Sequence, residues 1–264
     1  MNRADFAKLE PHVIREMCRA ETFRGPTAGV ARGYAQANLV ILPGSIAEDF
    51  ERFCALNPKP CPLLERAAIG DPQPRRLAPG ADLRTDLPRY RVFRDGHCVE
   101  RPFSIKSFWR DDLVAFLIGC SFTFEWAMIE AGLPVRHIEQ GRNVPMYRTD
   151  IPCQFAGDFG GPMVVSMRPM TPDQARHAER ITAACPRVHG GPVHVGDPSK
   201  IGIANLDRPD YGDAVTIHPG EVPVFWACGV TPMEAVMRAR PELAITHEPG
   251  HMFVTDAEDA SLRA

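Results

Sequence analysis

Lysine is scarce in this chain. Of 30 basic residues only Lys8, Lys59, Lys106 and Lys200 are lysines, so Schiff-base chemistry has just four candidate nucleophiles. No apolar run approaches the roughly 20 residues of a membrane helix. The longest, 113–120, is worth one strand or two helical turns. The N-terminal stretch carries charges throughout and no apolar core, so no signal peptide is read and a cytoplasmic location is expected. The eight cysteines include no CxxC pair, which argues against a disulfide framework and against structural zinc. Neither GxGxxG nor GxxxxGK[ST] occurs, and G-x-S-x-G and H-E-x-x-H are missing too. Nucleotide cofactors and the standard hydrolase elbows therefore have no support. A net charge of -3 argues against a general nucleic-acid binder.

What is present is ordinary globular composition: 264 residues, 44% hydrophobic and 24% charged. Proline is abundant, with 26 residues spread along the chain, which implies many short elements joined by rigid turns. Apolar spacing predicts a helix over 5–19 and a buried strand over 38–42. Ser45 and Glu48 read as a capping box for a helix ending at Leu56. Residues 70–88 form a long irregular stretch, of a kind that is often functional. A hairpin over 89–105 turns at Asp95-Gly96. The two acids at 111–112 suggest a helix over 111–118, interrupted by Gly119-Cys120-Ser121 before a second helix over 124–130. Strands are expected at 135–139, 163–168, 192–195, 214–218, 222–228, 244–247 and 252–255. Thr171-Pro172-Asp173 opens a helix to Ala184, and Thr231 with Glu234 caps another. Strands alternating with helices give an α/β class: a layered mixed-sheet domain over 1–140 plus 208–264, with a smaller inserted α+β domain over 141–207.

Chemistry concentrates in five segments. In Gly119-Cys120-Ser121, a helix start offers backbone N–H groups to an anion, and Cys120 there can have a lowered pKa; an ordinary cap at a kink explains the same residues. Gly141-Arg142-Asn143-Val144-Pro145-Met146-Tyr147-Arg148-Thr149 gathers two arginines, an amide and a phenol. A single strand would put Arg142 and Arg148 on one face, ready to fork a carboxylate, or the stretch is a solvated edge. His189-Gly190-Gly191-Pro192-Val193-His194 offers an acid/base pair, or a divalent metal site with Asp197. Val222 to Cys228 reads as a buried strand whose Trp226 and Cys228 share a side. Arg84, in the irregular stretch, is a further carboxylate binder.

These segments together resemble the D-glutamate cyclase family of hydro-lyases. The resemblance rests on Asn57-Pro58 through Cys61-Pro62-Leu63-Leu64-Glu65, on Asp82-Leu83-Arg84-Thr85-Asp86-Leu87-Pro88-Arg89-Tyr90, on Asp112 through Phe122, on Gly141 through Thr149, and on Phe225-Trp226-Ala227-Cys228-Gly229-Val230-Thr231-Pro232. One departure is Gly191, where alanine is expected. The resemblance implies two α/β domains, one inserted in the other, and conversion of D-glutamate to 5-oxo-D-proline and water. For that reaction Arg142, Arg148 or Arg84 would hold the α-carboxylate, with Tyr147 and Trp226 nearby. His194 or His189 would be the base, and Ser121, Asn143 and the amides after Gly119 the donors. Two alternatives stay open: a lyase or epimerase using Cys120 and Cys228 as a thiol pair, and a non-catalytic carboxylate binder. The expected partner is a small carboxylate, with no nucleic acid and no membrane. No cofactor is expected; a divalent metal and a homo-oligomer stay open.

Overall fold

The apolar run at 38–42 becomes the centre of β1 (Tyr34–Pro43), buried along nearly its whole length in the computed structural model, which describes residues 3–263. Around it follow α1 (Arg3–Phe6), α2 (Pro11–Arg19), α3 (Gly44–Leu56), β2 (Leu63–Arg66), β3 (Tyr90–Arg94), β4 (His97–Glu100) and β5 (Leu113–Gly119). The chain continues through α4 (Phe122–Glu130), α5 (Arg136–Glu139), β6 (Met146–Ala156), β7 (Phe159–Met170), α6 (Pro172–Ala183) and β8 (His194–Val195). It ends with β9 (Val222–Ala227), α7 (Thr231–Ala239), β10 (Ala244–His247) and β11 (Phe253–Glu258). The first sheet has the order β2-β5-β1-β10-β3-β4, with β11 also on β1; the second has β6-β7-β9-β8. The α/β layered class holds, and the strand pairings in both sheets are antiparallel. Among the described residues no helix is long and apolar enough to cross a membrane.

Burial on both faces explains the largest difference from the sequence expectation. Residues 113–119 form strand β5, not a helix. Leu113, Ala115 and Leu117 enter the core on one side of the sheet, Val114, Phe116 and Ile118 the core on the other. A strand buried on both faces has no polar alternation, so its periodicity cannot be told from that of a buried helix. The reverse error occurs at 136–139, a single helical turn rather than a strand. Residues 214–218 form no strand. The first helix breaks before Pro11, splitting 5–19 into α1 and α2. Neither the box at Ser45 nor the cap at Thr231 forms: α3 starts at Gly44 without a side-chain cap, and Thr231 sits inside α7. Thr231 Oγ1 instead accepts from the Val164 amide at 2.9 Å. The box at Thr171 and Gln174 is complete, and Asp95-Gly96 turns the hairpin with positive φ at both residues.

The irregular stretch at 70–88 covers one face of the first sheet, burying Leu77, Ala78, Ala81, Leu83 and Leu87. Its Pro and Asp content supplies turns, while its apolar residues take the place of a covering helix. On the opposite face Phe50 and Phe53 of α3 pack edge-on or tilted against Phe116 and Phe159. The second sheet buries Tyr147, Val165, Met167 and Phe225 under Ile201, Ile203 and Val215. Its other face carries Val164, Ser166 and Arg168 of β7 and Trp226 of β9 inward. The two sheets come together where β5 ends. An ideal Cβ on Gly119 would lie 2.1 Å from the Arg187 carbonyl oxygen. Gly119→Ala is expected to lower the unfolding free energy by at least the roughly 1–3 kcal/mol of a typical overpacked position, read as a lower urea midpoint, because the obstacle is backbone. An unchanged midpoint would show that this approach is not fixed.

Candidate functional site

Several strand ends converge at this approach. β5 passes through Cys120 and Ser121 into α4, β9 ends next to Cys228, and β10 ends at His247. Asn38 of β1, Met146 of β6, and Gly250 and Met252 beyond β10 complete the walls of a small cavity, with Phe122, Val144 and Val230 as further apolar lining. It admits the centre of about one water molecule, roughly 10 Å³. A larger ligand therefore requires the walls to part.

One wall rests on a buried ion pair. Arg168 is fully buried on β7, and its Nε donates to Glu125 Oε1 of α4 at 2.9 Å. Its Nη2 donates to the same oxygen and, at 3.1 Å, to Ser121 Oγ. Nη1 reaches Ser166 Oγ at 3.0 Å. His137 Nε2 of α5 lies 3.2 Å from Glu125 Oε1. Burial alone would raise the Glu125 carboxyl, but His137 and Arg168 outweigh it and hold it below its ordinary value. The guanidinium lies against the rings of Phe124 and Trp226, at 5.5 and 5.4 Å. Since Ser121 Oγ accepts from Arg168, its own hydrogen is left to donate elsewhere.

The first-turn amides of α4 are spent locally. Phe122 N–H reaches Cys120 Sγ at 3.5 Å, Thr123 N–H the Cys120 carbonyl, and Phe124 N–H the Ser121 carbonyl. The hydroxyl of Ser121 thus replaces them as the available donor. Cys120 is also corrected: burial pushes its thiol well up, against the lowering a helix start would give. Cys228, on the same cavity, is raised to about 11, again by burial. Both are protonated thiols near neutral pH.

Two further polar atoms are buried without a protein partner: Nε2 of His247, which lines the cavity, and Oδ1 of Asn143, which packs behind the Gly250 wall. Asn143 Nδ2 donates to the Pro249 carbonyl at 3.1 Å, which fixes the amide's orientation. Its Oδ1 stands 2.1 Å from where a Cβ of Gly250 would lie, so only glycine fits that wall. Asn38 Nδ2 donates to the Gly119 carbonyl at 2.7 Å and ties β1 to the end of β5.

The other residues read from the sequence lie outside the cavity. Trp226 supports Arg168 and donates to Thr182 Oγ1 at 3.1 Å. Arg84 pairs with Asp82, and Arg148 with Asp210 and Glu234. Arg142 precedes β6 instead of sharing a strand face with Arg148, and it donates to the Ala214 carbonyl. Tyr147 faces the other side of the second sheet, with its hydroxyl on the Leu206 carbonyl at 2.7 Å. His194 stacks on Phe225 and contacts the carbonyl oxygen of Asp197 at 2.7 Å. His189 is buried beside Lys59, its Nδ1 on the Lys59 carbonyl at 2.9 Å and its φ at +84°, a strained value for a histidine. His189, His194 and Asp197 are not gathered into a metal site, and among the described residues no group of three His, Cys, Asp or Glu side chains could hold one.

Asn38, Glu125, Arg168 and His247 are the site residues that sequence reading did not assign. Their signal was a polar residue inside or ending an apolar strand, or in the first turn of an apolar helix. Burial lowers both His189 and His247 from 6.5 to about 4. Between those values the unfolded chain binds protons that the folded chain refuses, so stability is complete above about pH 6.5 and falls toward pH 4. The slope approaches 1.4 kcal/mol per pH unit for each residue. Urea midpoints measured from pH 7.5 to 4.5 should decline through this window. A constant midpoint would mean that the imidazoles are protonated in the folded state.

Comparison with known proteins places the chain. The family model described as D-glutamate cyclase matches residues 114–256, a span that includes most of the cavity wall. A protein of Stutzerimonas stutzeri named "Putative hydro-lyase" is 57% identical over 262 residues, 99% of each chain. One of the same name from Bacillus pumilus is 57% identical over 257 residues, 97% of this chain and 98% of that one. Its counterpart in Bordetella pertussis is 60% identical over 253 residues, 96% of this chain and 91% of the other. Matched by the model over more than half its length and by these relatives almost end to end, the chain belongs to the D-glutamate cyclase family.

Proposed function

We propose that the protein is a hydro-lyase that closes D-glutamate to 5-oxo-D-proline and water at the cavity beneath α4. The observation that carries this reading is that Ser121, backed by the buried Arg168–Glu125 pair, lines one cavity with His247, whose Nε2 is buried without a protein partner, while the equally unpartnered Asn143 Oδ1 packs against the Gly250 wall. Polar atoms are rarely left so unless water or a ligand completes them. Family membership and the names of the relatives supply the reaction class.

The reaction joins the α-nitrogen to the γ-carboxyl carbon. The ammonium gives up two protons, and one γ-oxygen leaves with both as water. The Ser121 hydroxyl donates to a substrate carboxylate oxygen, with the Arg168 charge behind it. Asn143 Oδ1 accepts from the substrate nitrogen. Cys228, the less perturbed thiol of the two, relays both protons in turn. Before attack it protonates the departing oxygen and is restored by the ammonium, leaving a neutral amine; after attack it repeats the exchange so that this oxygen leaves as water. A dry, closed site raises the worth of each of these contacts.

One observation favours a second reading. Cys120 and Cys228 line the same cavity, as a two-thiol epimerase would require. Incubation with D- and L-glutamate in D2O separates the two. Cyclisation yields 5-oxo-D-proline that keeps its Cα hydrogen; epimerisation exchanges it for deuterium. Release of no 5-oxoproline from either enantiomer would overturn the cyclase reading. In Ser121→Ala, turnover should fall about 10- to 100-fold, the worth of a hydrogen bond to a charged oxygen, while stability falls by about 1–3 kcal/mol for the Arg168 donor left unpaired. Normal turnover with a lowered melting temperature would confine Ser121 to holding Arg168.

A further inference from the structure

His247 closes β10, and its place in the sheet is unusual. β10 pairs with β1 through Val40 opposite Thr246 and Ile41 opposite Ile245, so Leu39 stands opposite His247. There the ladder changes hands. The Leu39 amide donates to the imidazole Nδ1 at 3.2 Å, while the His247 carbonyl accepts from Thr246 Oγ1 at 2.9 Å. Leu39 is fully buried, so its N–H has no water to turn to. Nδ1 also lies 3.3 Å from the Leu39 carbonyl, so a hydrogen on Nδ1 would serve that carbonyl but orphan the N–H, and a buried N–H is the rarer group to be left unpaired. Nδ1 is therefore the acceptor, and the single hydrogen of the neutral ring sits on Nε2. Nε2 is buried on a residue that lines the cavity, and no group of the protein receives it.

We infer that His247 is the site's neutral hydrogen-bond donor, whose Nε2–H receives an oxygen of the bound γ-carboxylate and keeps it as negative charge gathers there. This deepens the proposed cyclisation and rests on it for the identity of the oxygen. As the nitrogen lone pair forms the C–N bond, a C–O π pair moves onto oxygen. Nε2–H bonds to that oxygen without giving up its proton. Collapse of the adduct then restores the C=O bond and expels the other oxygen as water. A ring that stays neutral suits this role, since it is not titrated by the carboxylate it binds. The groups that face it are mixed in sign: burial lowers His247 most, the Leu39 backbone and Glu248 oppose it, and His251 and Arg91 lower it further.

The decisive measurement is the tautomer and its response to ligand. In protein labelled with 15N-histidine, the His247 ring is expected as the Nε2–H form from pH 5 to 8. Its Nε2–H proton should move downfield when glutarate, an unreactive dicarboxylate, is added. Alongside, His247→Gln keeps an N–H near the same point and His247→Leu removes it. With D-glutamate, kcat is expected within about tenfold of the native protein in the first variant and at least about 100-fold lower in the second, KM changing less in both. An Nδ1–H ring, a resonance indifferent to glutarate, or equal losses in two folded variants would overturn the assignment. If the native protein bound glutarate through Nε2–H but released no 5-oxoproline, the donor would stand and the cyclase reading would fall. If it turned over D-glutamate without any shift of Nε2–H, the cyclase reading would stand and the donor would fall.

Discussion

The cavity depends on a guanidinium that has no access to water. Arg168 reaches the interior from β7 and meets Glu125 of α4, so the ion pair spans the second sheet and the helix that follows the first. Removing two charges from water costs several kcal/mol each, which their attraction offsets only when geometry and further hydrogen bonds are good. Here Ser121, Ser166, His137 and the two aromatic faces supply those contacts. Loss of one partner would leave a buried charge uncompensated, a penalty far above that of an ordinary surface bridge. The pair thus fixes the position of α4 against the second sheet, and with it the hydroxyl of Ser121.

This arrangement also explains why so many residues with plausible chemistry take no part in the cavity. Arginine is the dominant cation, yet Arg84, Arg142 and Arg148 are each engaged by an acid or a carbonyl at the surface. Their forked geometry is used to tie loops together. The one arginine that bears on the site does so through a serine. Charge is delivered at one remove, and the ligand meets neutral donors and acceptors: a hydroxyl, an amide, an imidazole and two thiols. Neutral groups can line a closed cavity without the desolvation penalty that bare charges would incur.

Two of those neutral groups owe their orientation to backbone. Asn143 is turned by the Pro249 carbonyl and His247 by the Leu39 amide. Each contact settles which atom of the side chain is left facing away from its anchor. Gly250 lets the Asn143 amide come close, and Gly119 lets β5 end against the Arg187 backbone. Space for a ligand is small in this state, so binding must be coupled to a separation of walls drawn from several strand ends.

Local sequence determined a good deal. The apolar run at 38–42 marked β1, Asp95-Gly96 the hairpin turn, and Thr171-Pro172-Asp173 the start of α6, because turn and cap chemistry depends on residues within a few positions. Ser121, Cys120, Cys228 and Asn143 were visible as chemistry at a strand-to-helix junction or in a polar run. What the sequence could not decide is which side of an element faces which partner. β5 reads equally as helix or strand, since both its faces are buried. Arg168 in a strand and Glu125 in a helix, 43 residues apart, carry no sign that they are one unit. Nor does His247 show that an amide 208 residues away in sequence has chosen its tautomer. Such pairings are settled only when the chain closes, because desolvation makes a buried charge or N–H accept whatever partner the fold brings within reach.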